Sequence, residues 1–252
     1  MFVACSTLCY GKVPLSAALQ RIRELRFQKV DLAIHESGGH LKPSEVLADM
    51  PKIAQQLRTF NMTVAAMHVC FSADAETTKL QLHAIARLAR VLTVPVLTVP
   101  AAPIGSDFTV EVERLTAWNR IVAAEGVILS IETSAETVTA DPLGAIELCR
   151  RIDGLGITLD PSHYVTGPHR TDDFDSMVGY IRHVRLRDTG KKDGQFQVRI
   201  GQGTIEYGKL VNTLERSRYN RTLTVDMRDF GESNFPVEPE VRTLKYLLES
   251  LL

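Results

Sequence analysis

The sequence predicts a single α/β domain, a (β/α)8 TIM barrel that spans residues 1–252. Short runs rich in β-branched residues alternate eight times with amphipathic stretches of helical length. Consecutive βα units require a parallel sheet with right-handed crossovers, and eight of them close into a barrel. The 252 residues, 44% of them hydrophobic, suffice for one core of this size, and no low-complexity linker interrupts the alternation.

The predicted strands are short and rich in Val, Ile, Leu and Thr. They cover residues 2–7, 29–34, 62–69, 96–99, 127–132, 156–160, 183–187 and 223–227. The stretches between them repeat apolar residues at intervals of three and four, which is typical of a helix with one buried face. These helical stretches are 15–27, 43–60, 75–92, 111–125, 141–152, 207–217 and 237–252. A further helix around 174–180 is short and poorly marked.

Polar residues stand at or just past the ends of several predicted strands. In GITLDPSHYVTG, residues 156–167, an apolar strand buried on both faces ends in Asp160, and His163 follows. Other strands carry polar residues at the corresponding places, namely Asp31, His68, Glu132, Arg185 and Asp226. Because a parallel barrel builds its site from the carboxyl ends of its strands, we expect these side chains to share one pocket.

Composition favours a small, locally recognised substrate. Lys and Arg number 29 and Asp and Glu 30, so the net charge of −1 offers no bulk attraction to nucleic acid or to an anionic membrane. No run reaches the ~20 apolar residues of a membrane span, and the apolar start lacks the basic region of a signal peptide. Four irregularly spaced cysteines predict buried thiols in a reducing compartment. We therefore expect a cytoplasmic protein that binds neither nucleic acid nor membrane, with a homo-oligomer left open.

Four segments carry a resemblance to a known family. LSIET lies at the end of the fifth strand, LDPSH at the end of the sixth and LTVDMR at the end of the eighth. HVRLRD forms the seventh strand, and GQG follows it. With these segments, nearly the whole chain resembles the xylose isomerase-like TIM-barrel superfamily. That group includes sugar-phosphate isomerases, ketose 3-epimerases, inosose and dehydroshikimate dehydratases and an apurinic endonuclease branch. The endonuclease branch needs clustered metal-binding histidines and a basic DNA face, which seven scattered histidines and a net charge of −1 do not supply.

The resemblance implies a divalent cation at the barrel mouth. Epimerase-type members hold it with Glu, Asp, His and Glu from strands five to eight, and the matching positions here are Glu132, Asp160, Arg185 and Asp226. Arginine has only donors and stays protonated, so Arg185 cannot be a ligand. Two alternatives follow. Either Glu132, Asp160 and Asp226 bind Mg²⁺ or Mn²⁺ and Arg185 turns to the substrate, or Arg185 replaces the ion in a metal-free site.

Two carboxylates beside a positive charge are suited to removing a proton from the carbon next to a carbonyl. We therefore expect a sugar or sugar-phosphate isomerase or epimerase with Glu132 and Asp226 as its catalytic acid and base. The predicted substrate-binding residues are His68, His163, Arg185 and Arg187. A keto-polyol dehydratase would share the first step. A non-catalytic sugar-binding descendant that has lost the full metal site is a further alternative.

Some neighbouring residues allow a structural role instead. Arg187 binds a substrate anion or pairs with Asp188, and GQG at 201–203 presents backbone N–H groups to a phosphate or forms a plain turn. His183 lies two residues before Arg185 on the same side of the strand, and we interpret it as a core histidine. The histidines in loops or near strand ends, His35, His40 and His169, are expected to be solvated.

Overall fold

Eight parallel strands form a closed barrel in the order β1 to β8 in the computed structural model, which describes residues 1–171, 173–229 and 235–252. The strands are β1 Phe2–Ser6, β2 Lys29–His35, β3 Thr63–Cys70, β4 Val96–Pro100, β5 Ile128–Glu132, β6 Gly156–Leu159, β7 Ile181–Leu186 and β8 Thr222–Val225. β1 closes the barrel against β8, with Cys5 paired to Val225. The predicted (β/α)8 TIM barrel is confirmed.

Helices follow the strands and cover the outside of the sheet. They are α1 Leu15–Glu24, α2 Pro43–Ala48, α3 Met50–Thr59, α4 Ala75–Val91, α5 Phe108–Ala123, α6 Pro142–Arg151, α7 Ser162–Val165, α8 Tyr207–Arg216 and α9 Val237–Ser250. Asp74, Asp107 and Asp141 accept backbone N–H groups at the starts of α4, α5 and α6, which is the usual way to satisfy a helix N-terminus. Among the described residues, no helix combines the length and the apolar composition that a membrane crossing requires.

Two helical predictions differ from the structure. The stretch 43–60 is two helices, because Asp49 leaves helical geometry with ψ at 70° and its side chain accepts the N–H of Lys52. Pro51 stands in the first turn of α3, where its missing N–H is tolerated. Between β6 and β7, the described residues form the four-residue α7 and a 3₁₀ turn at Val178–Tyr180 in place of a helix of ordinary length.

The inside of the barrel is polar, whereas the apolar core lies between the sheet and the helices. Thr158 Oγ1 is 2.8 Å from Thr98 Oγ1 and donates to Ser130 Oγ at 2.9 Å, and all three residues are buried. His183 is also buried, with Nε2 3.1 Å from Asp31 Oδ2. Inward-facing polar side chains therefore continue along the barrel interior towards its carboxyl end.

Candidate active site

Arg185 on β7 lies fully buried at the centre of a group of acidic side chains. Its Nη1 donates to Glu132 Oε1 at 2.8 Å, and its Nη2 donates to Asp226 Oδ1 at 3.3 Å. Nη2 also donates to the hydroxyl of Ser6 at 3.1 Å. Nε lies 3.1 Å from Asp31 Oδ2. One guanidinium group thus forms ion pairs with carboxylates from three other parts of the barrel.

Two further arginines complete what we call the arginine–carboxylate cluster: Arg185, Arg187 and Arg228 with Asp31, Glu132, Asp160 and Asp226. Arg187 Nη2 donates to Asp160 Oδ2 and lies 3.4 Å from Asp226 Oδ2. Arg228 donates through Nε to the same oxygen of Asp226 at 2.9 Å. Its Nη2 is 3.8 Å from Glu132 Oε1. The structure therefore brings the four residues that match the family's cation site into one cluster.

The cluster does not fit a divalent cation held by Glu132, Asp160 and Asp226. Both oxygens of Asp226 accept from guanidinium groups, and Asp160 Oδ1 accepts the N–H and the hydroxyl of Ser162 at 3.0 and 2.6 Å. The three guanidinium groups and four carboxylates have a net charge of −1. A divalent cation would bring two positive charges and leave the buried cluster with an excess of positive charge. The assignment of Glu132, Asp160 and Asp226 as metal ligands stays a prediction. The observed contacts favour the alternative in which arginine takes the place of the ion.

The arginines hold the nearby carboxylates in their ionised form. Burial alone raises the pKa of Asp226, but the positive charges of the three arginines, with Arg185 the largest, keep that pKa far below its usual value. Burial also raises the pKa of Glu132, and His68, Arg185 and Arg228 outweigh it, so that this pKa too lies well below the ordinary range. Both groups are therefore negatively charged across the physiological pH range.

Two histidines, from β3 and β2, extend the contacts of Glu132 across the barrel mouth. His68 Nε2 lies 3.0 Å from Glu132 Oε2, and His68 Nδ1 lies 2.8 Å from His35 Nε2. His35 was expected to be solvated, but β2 continues to this residue, and burial lowers its pKa to about 3. His40 was expected to be solvated as well. It is buried, with Nε2 near the carbonyl oxygens of Tyr10 and Val13 at 3.3 and 3.1 Å.

A cavity of about 880 Å³ opens at the carboxyl face of the barrel beside the cluster, and Glu132, His163, Arg187 and Arg228 lie in its wall. The Glu132 side chain is 12% exposed and that of Arg228 24% exposed. The His163 ring packs against Phe196 with centroids 4.8 Å apart. Of the other predicted site residues, His68, Asp160, Arg185 and Asp226 are buried behind this wall.

The GQG segment forms a turn that is fixed to the end of β7. The carboxylate of Asp188 accepts the N–H groups of Gly201 at 2.7 Å and Gly203 at 3.0 Å, so these donors are occupied. Arg187 pairs with Asp160 and not with its sequence neighbour Asp188, because the side chains of adjacent residues in an extended chain point to opposite sides. Asp188 thereby holds the segment that forms one wall of the cavity.

The sequence analysis did not assign a role to Arg228. It lies two residues after Asp226, and side chains two residues apart in an extended chain share a side, so the spacing was the available signal. The side-chain amide of Gln197 bonds to both the N–H and the carbonyl of Arg228 at 2.7 Å each. Gln197 thus fixes Arg228 at the edge of the cavity, a contact that no local pattern predicts.

Comparisons with known proteins agree with this fold. A sequence profile described as the xylose isomerase-like TIM barrel matches residues 19–248. No match is found among curated proteins. A probable 3-DHS dehydratase from Bacillus anthracis, AsbF, which is involved in petrobactin synthesis, superposes with a TM-score of 0.74 at 14% identity over 99% of each chain.

Two further solved structures are similar over almost their whole length. An L-ribulose 3-epimerase has a TM-score of 0.74 at 13% identity, covering 99% of this chain and 95% of the epimerase. A xylose isomerase-like TIM-barrel protein from Mycobacterium smegmatis, solved in complex with magnesium, has a TM-score of 0.73 at 16% identity, covering 100% of this chain and 98% of that protein. At these identities the likeness shows a shared fold.

Proposed function

The chain belongs to the xylose isomerase-like TIM-barrel family, and from that membership we propose an enzyme that removes a proton next to the carbonyl of a small polyhydroxylated compound. Proteins of this fold include sugar epimerases and a probable dehydratase, which supports an enzymatic role. The observation that carries the proposal is the position of Glu132. Among the carboxylates of the arginine–carboxylate cluster, it is the one in the cavity wall.

Glu132 is held as an oriented base. Arg185 donates to Oε1 at 2.8 Å, and His68 lies 3.0 Å from Oε2. Both contacts fix the carboxylate plane at the cavity edge. Arg185 and His68 were predicted to bind substrate, but each is buried and neither lines the cavity. We therefore assign them as positioning residues that act through Glu132.

A carboxylate with a lowered pKa is a weak base, so the product anion has to be stabilised as well. Arg228 Nη2 lies 3.8 Å from Glu132 Oε1, and both residues line the cavity. A carbonyl oxygen bound beside Glu132 would be within reach of this guanidinium group. Preorganised donors aimed at the oxygen that gains negative charge lower the barrier to proton removal. In this proposal, the arginines supply the charge that other members would take from a cation.

The proposed reaction begins with transfer of the proton from carbon to a Glu132 oxygen, while the C–H electron pair forms the enediolate. Return of the proton to the neighbouring carbon, with the hydroxyl proton passing between the two enediolate oxygens, gives the isomer. Return of a proton to the opposite face of the same carbon gives the epimer. Cleavage of the C–O bond of the hydroxyl group next to the enediolate, which takes the proton from Glu132 and leaves as water, gives the dehydration product. Epimerisation needs a second acid on the other face, for which Asp226 was predicted. The full burial of Asp226 and its three arginine partners support a positioning role for it.

Two residues of the cavity wall are proposed to bind substrate. Burial lowers the pKa of His163, so its imidazole is neutral at neutral pH. Its Nδ1 accepts the N–H of Ala135 at 3.2 Å, which leaves the Nε2–H as a donor to a substrate hydroxyl group. Arg187 is only 3% exposed and pairs with Asp160, but it lines the cavity, and the planar donors of its guanidinium suit a pair of oxygen atoms at that edge. These groups fit a sugar-like compound with adjacent hydroxyl and carbonyl oxygens.

Deuterium uptake from solvent tests the proposal. The protein is incubated in D₂O with L-ribulose, D-tagatose, D-psicose, D-fructose and 3-dehydroshikimate, and exchange at the carbon next to the carbonyl is followed by NMR. We expect exchange into at least one compound. Glu132→Gln keeps the shape and removes the base, so exchange should fall by about 10²–10⁴-fold. Glu147→Gln on the surface of α6 is the matched control and should retain wild-type exchange.

Three results would contradict the proposal. Unchanged exchange in Glu132→Gln would move the base elsewhere, and loss of exchange in Glu136→Gln alone would assign it to the other acidic residue of the cavity wall. Absence of exchange with every compound, together with a rise in Tm on adding one of them, would indicate a non-catalytic sugar-binding protein. A further result would not contradict the proposal. Exchange accompanied by a new conjugated double bond would show that the enzyme is a dehydratase and not an isomerase or an epimerase.

A further inference from the structure

A second group of donor atoms lies beside the arginine–carboxylate cluster, at the carboxyl ends of β2 and β3. His35 and Cys70 are paired residues in the β2–β3 register, and His68 lies two residues before Cys70 on β3. Side chains two residues apart on a strand share a face. One donor atom from each of His35, His68 and Cys70 lies within 4.8 Å of the others, and within the described part of the chain this is the one such group of three.

His68 contacts Glu132 through one ring nitrogen and His35 through the other, so the second nitrogen would bind an ion in place of its hydrogen bond to His35. When Nε2–H donates to Glu132 Oε2 at 3.0 Å, Nδ1 carries a lone pair. This Nδ1 faces His35 Nε2 at 2.8 Å. A histidine that donates one ring N–H to a carboxylate and offers the other nitrogen to an ion is the common arrangement at protein metal sites.

We propose that His35, His68 and Cys70 bind a transition-metal ion of the zinc type through two imidazole nitrogens and one thiolate. Nitrogen and sulfur donors select zinc over Mg²⁺ and Mn²⁺, which prefer oxygen. This site is distinct from the carboxylate positions that the family resemblance assigns to a cation, and it goes beyond the proposed function.

The required movements are small. Bonds of about 2.0–2.1 Å to nitrogen and about 2.3 Å to sulfur at tetrahedral angles place the nitrogens about 3.3 Å apart and the sulfur about 3.6 Å from each. The two nitrogens are now 2.8 Å apart and the whole group lies within 4.8 Å. Side-chain rotations would suffice.

Charge and access also suit the ion. The one negative charge left over in the arginine–carboxylate cluster and the thiolate of Cys70 together balance the two positive charges of a divalent ion. His68 is buried, whereas His35 and Cys70 are partly exposed, so an ion can enter from their side. Three protein ligands leave a fourth position open to water.

Metal titration tests the site without any need for a substrate. The purified protein is treated with EDTA, dialysed and titrated with Zn²⁺ by calorimetry in competition with a chromophoric chelator. Co²⁺ is then added as an optical probe, since a bound thiolate gives a sulfur-to-cobalt charge-transfer band. We expect one ion per chain and a charge-transfer band that disappears in Cys70→Ser.

The variants separate ligands from their supporting groups. Glu132→Gln removes only the hydrogen-bond partner of a ligand and should weaken Zn²⁺ binding by about 10–100-fold. Cys70→Ser and His35→Ala each remove a ligand and should weaken Zn²⁺ binding by more than about 100-fold. Cys149→Ser is the matched control for loss of a thiol, since Cys149 lies on α6 away from the barrel mouth. It should bind Zn²⁺ as the wild type does. Circular dichroism checks that each variant is folded, and if His35→Ala is not, Cys70→Ser and the cobalt spectrum decide.

Several results would overturn the proposal. One is a wild-type protein that binds no stoichiometric Zn²⁺. Another is binding that Asp160→Asn abolishes and Cys70→Ser leaves unchanged, because the ion would then lie among the carboxylates. A cobalt complex without the charge-transfer band would exclude Cys70 as a ligand. None of these results bears on deuterium exchange, so the failure of this site and of the proposed function can be told apart.

Discussion

Replacing Arg185 with methionine should destabilise the fold, and the loss should depend on pH. The Arg185 guanidinium is fully buried and lies within 3.3 Å of oxygen atoms from Asp31, Glu132 and Asp226. Methionine has a similar length but carries no charge and no donor. These three carboxylates would lose their central counter-charge in a region that little water can reach.

Protonation limits the size of the loss. A carboxyl group with an ordinary pKa of about 4 binds a proton at pH 7 at a cost of about 4 kcal/mol, and at pH 5 at a cost of about 1.4 kcal/mol. If the variant must neutralise one carboxylate to remain folded, it should lose about 4 kcal/mol at pH 7. This figure agrees with the roughly 3–5 kcal/mol observed when one partner of a buried ion pair is removed.

The direction of the pH effect follows from linkage. In Arg185→Met the carboxylate pKa rises above its unfolded value, so the free-energy cost of neutralising this carboxylate shrinks as the pH falls towards 5. In the wild type, Asp226 and Glu132 have lowered pKa values, and their contribution is fully present at both pH values. The difference between the two proteins should therefore shrink by about 2.7 kcal/mol from pH 7 to pH 5.

Urea unfolding followed by circular dichroism at pH 7 and pH 5 measures this difference. Arg23→Met on the exposed side of α1 is the control and should stay within about 0.5 kcal/mol of the wild type. The double variant Arg185→Met with Asp226→Asn removes one of the uncompensated charges and should be more stable than Arg185→Met at pH 7. A loss below about 1 kcal/mol, or an equal loss at both pH values, would refute the reasoning.

Three further predictions concern pH and the cavity wall. The wild-type Tm should fall as the pH drops below about 6.5, where the unfolded chain protonates His35, His40 and His163 while burial keeps them neutral in the folded chain. It should fall further below about pH 4, where the unfolded chain takes up protons that Glu132 and Asp226 resist; calorimetry measures both steps, and a Tm that stays level down to pH 4 would contradict the first. Gly203→Ala should lose about 1–3 kcal/mol in urea unfolding, because its Cβ would overlap the Asp188 carboxylate and displace its bonds, whereas Gly208→Ala in α8 meets nothing within 4 Å and should gain about 0.5–1 kcal/mol. Asp188→Ala should make the chain between residues 190 and 204 more sensitive to limited proteolysis than Glu113→Ala, an exposed control on α5; equal cleavage would show that Asp188 does not anchor the segment.

The fold was predictable because its signals are local. Each strand is a short β-branched run, and each long helix has a 3.6-residue period, so counting units gives the closed barrel. The two errors in the helices also have local causes. Asp49 and Pro51 stop one helix and begin another inside 43–60, and the chain after β6 has no strong helical period to support a helix around 174–180.

The arrangement of the site was predictable in part. The rule that side chains two residues apart share a side places His183, Arg185 and Arg187 together, and the same rule applied to Asp226 would have included Arg228. The partners of these groups come from strands more than 25 residues away in sequence, such as Arg187 with Asp160. Their pairing depends on barrel closure and register, which residue spacing does not specify.

The role of Arg185 depends on its two arginine neighbours. Arg185 stands at the position that matches the family's histidine ligand, so it removes one metal ligand. Its guanidinium contacts Glu132, Asp226 and Asp31 but not Asp160, so Arg185 alone would leave Asp160 without a counter-charge. Arg187 supplies that charge, and Arg228 occupies the second oxygen of Asp226. The substitution Arg185→His alone would still leave the guanidinium groups of Arg187 and Arg228 on the carboxylates that an ion would need. In the metal-free alternative, replacement of the cation would therefore be a property of all three arginines together, and a family alignment of the strand-seven position by itself would not reveal it.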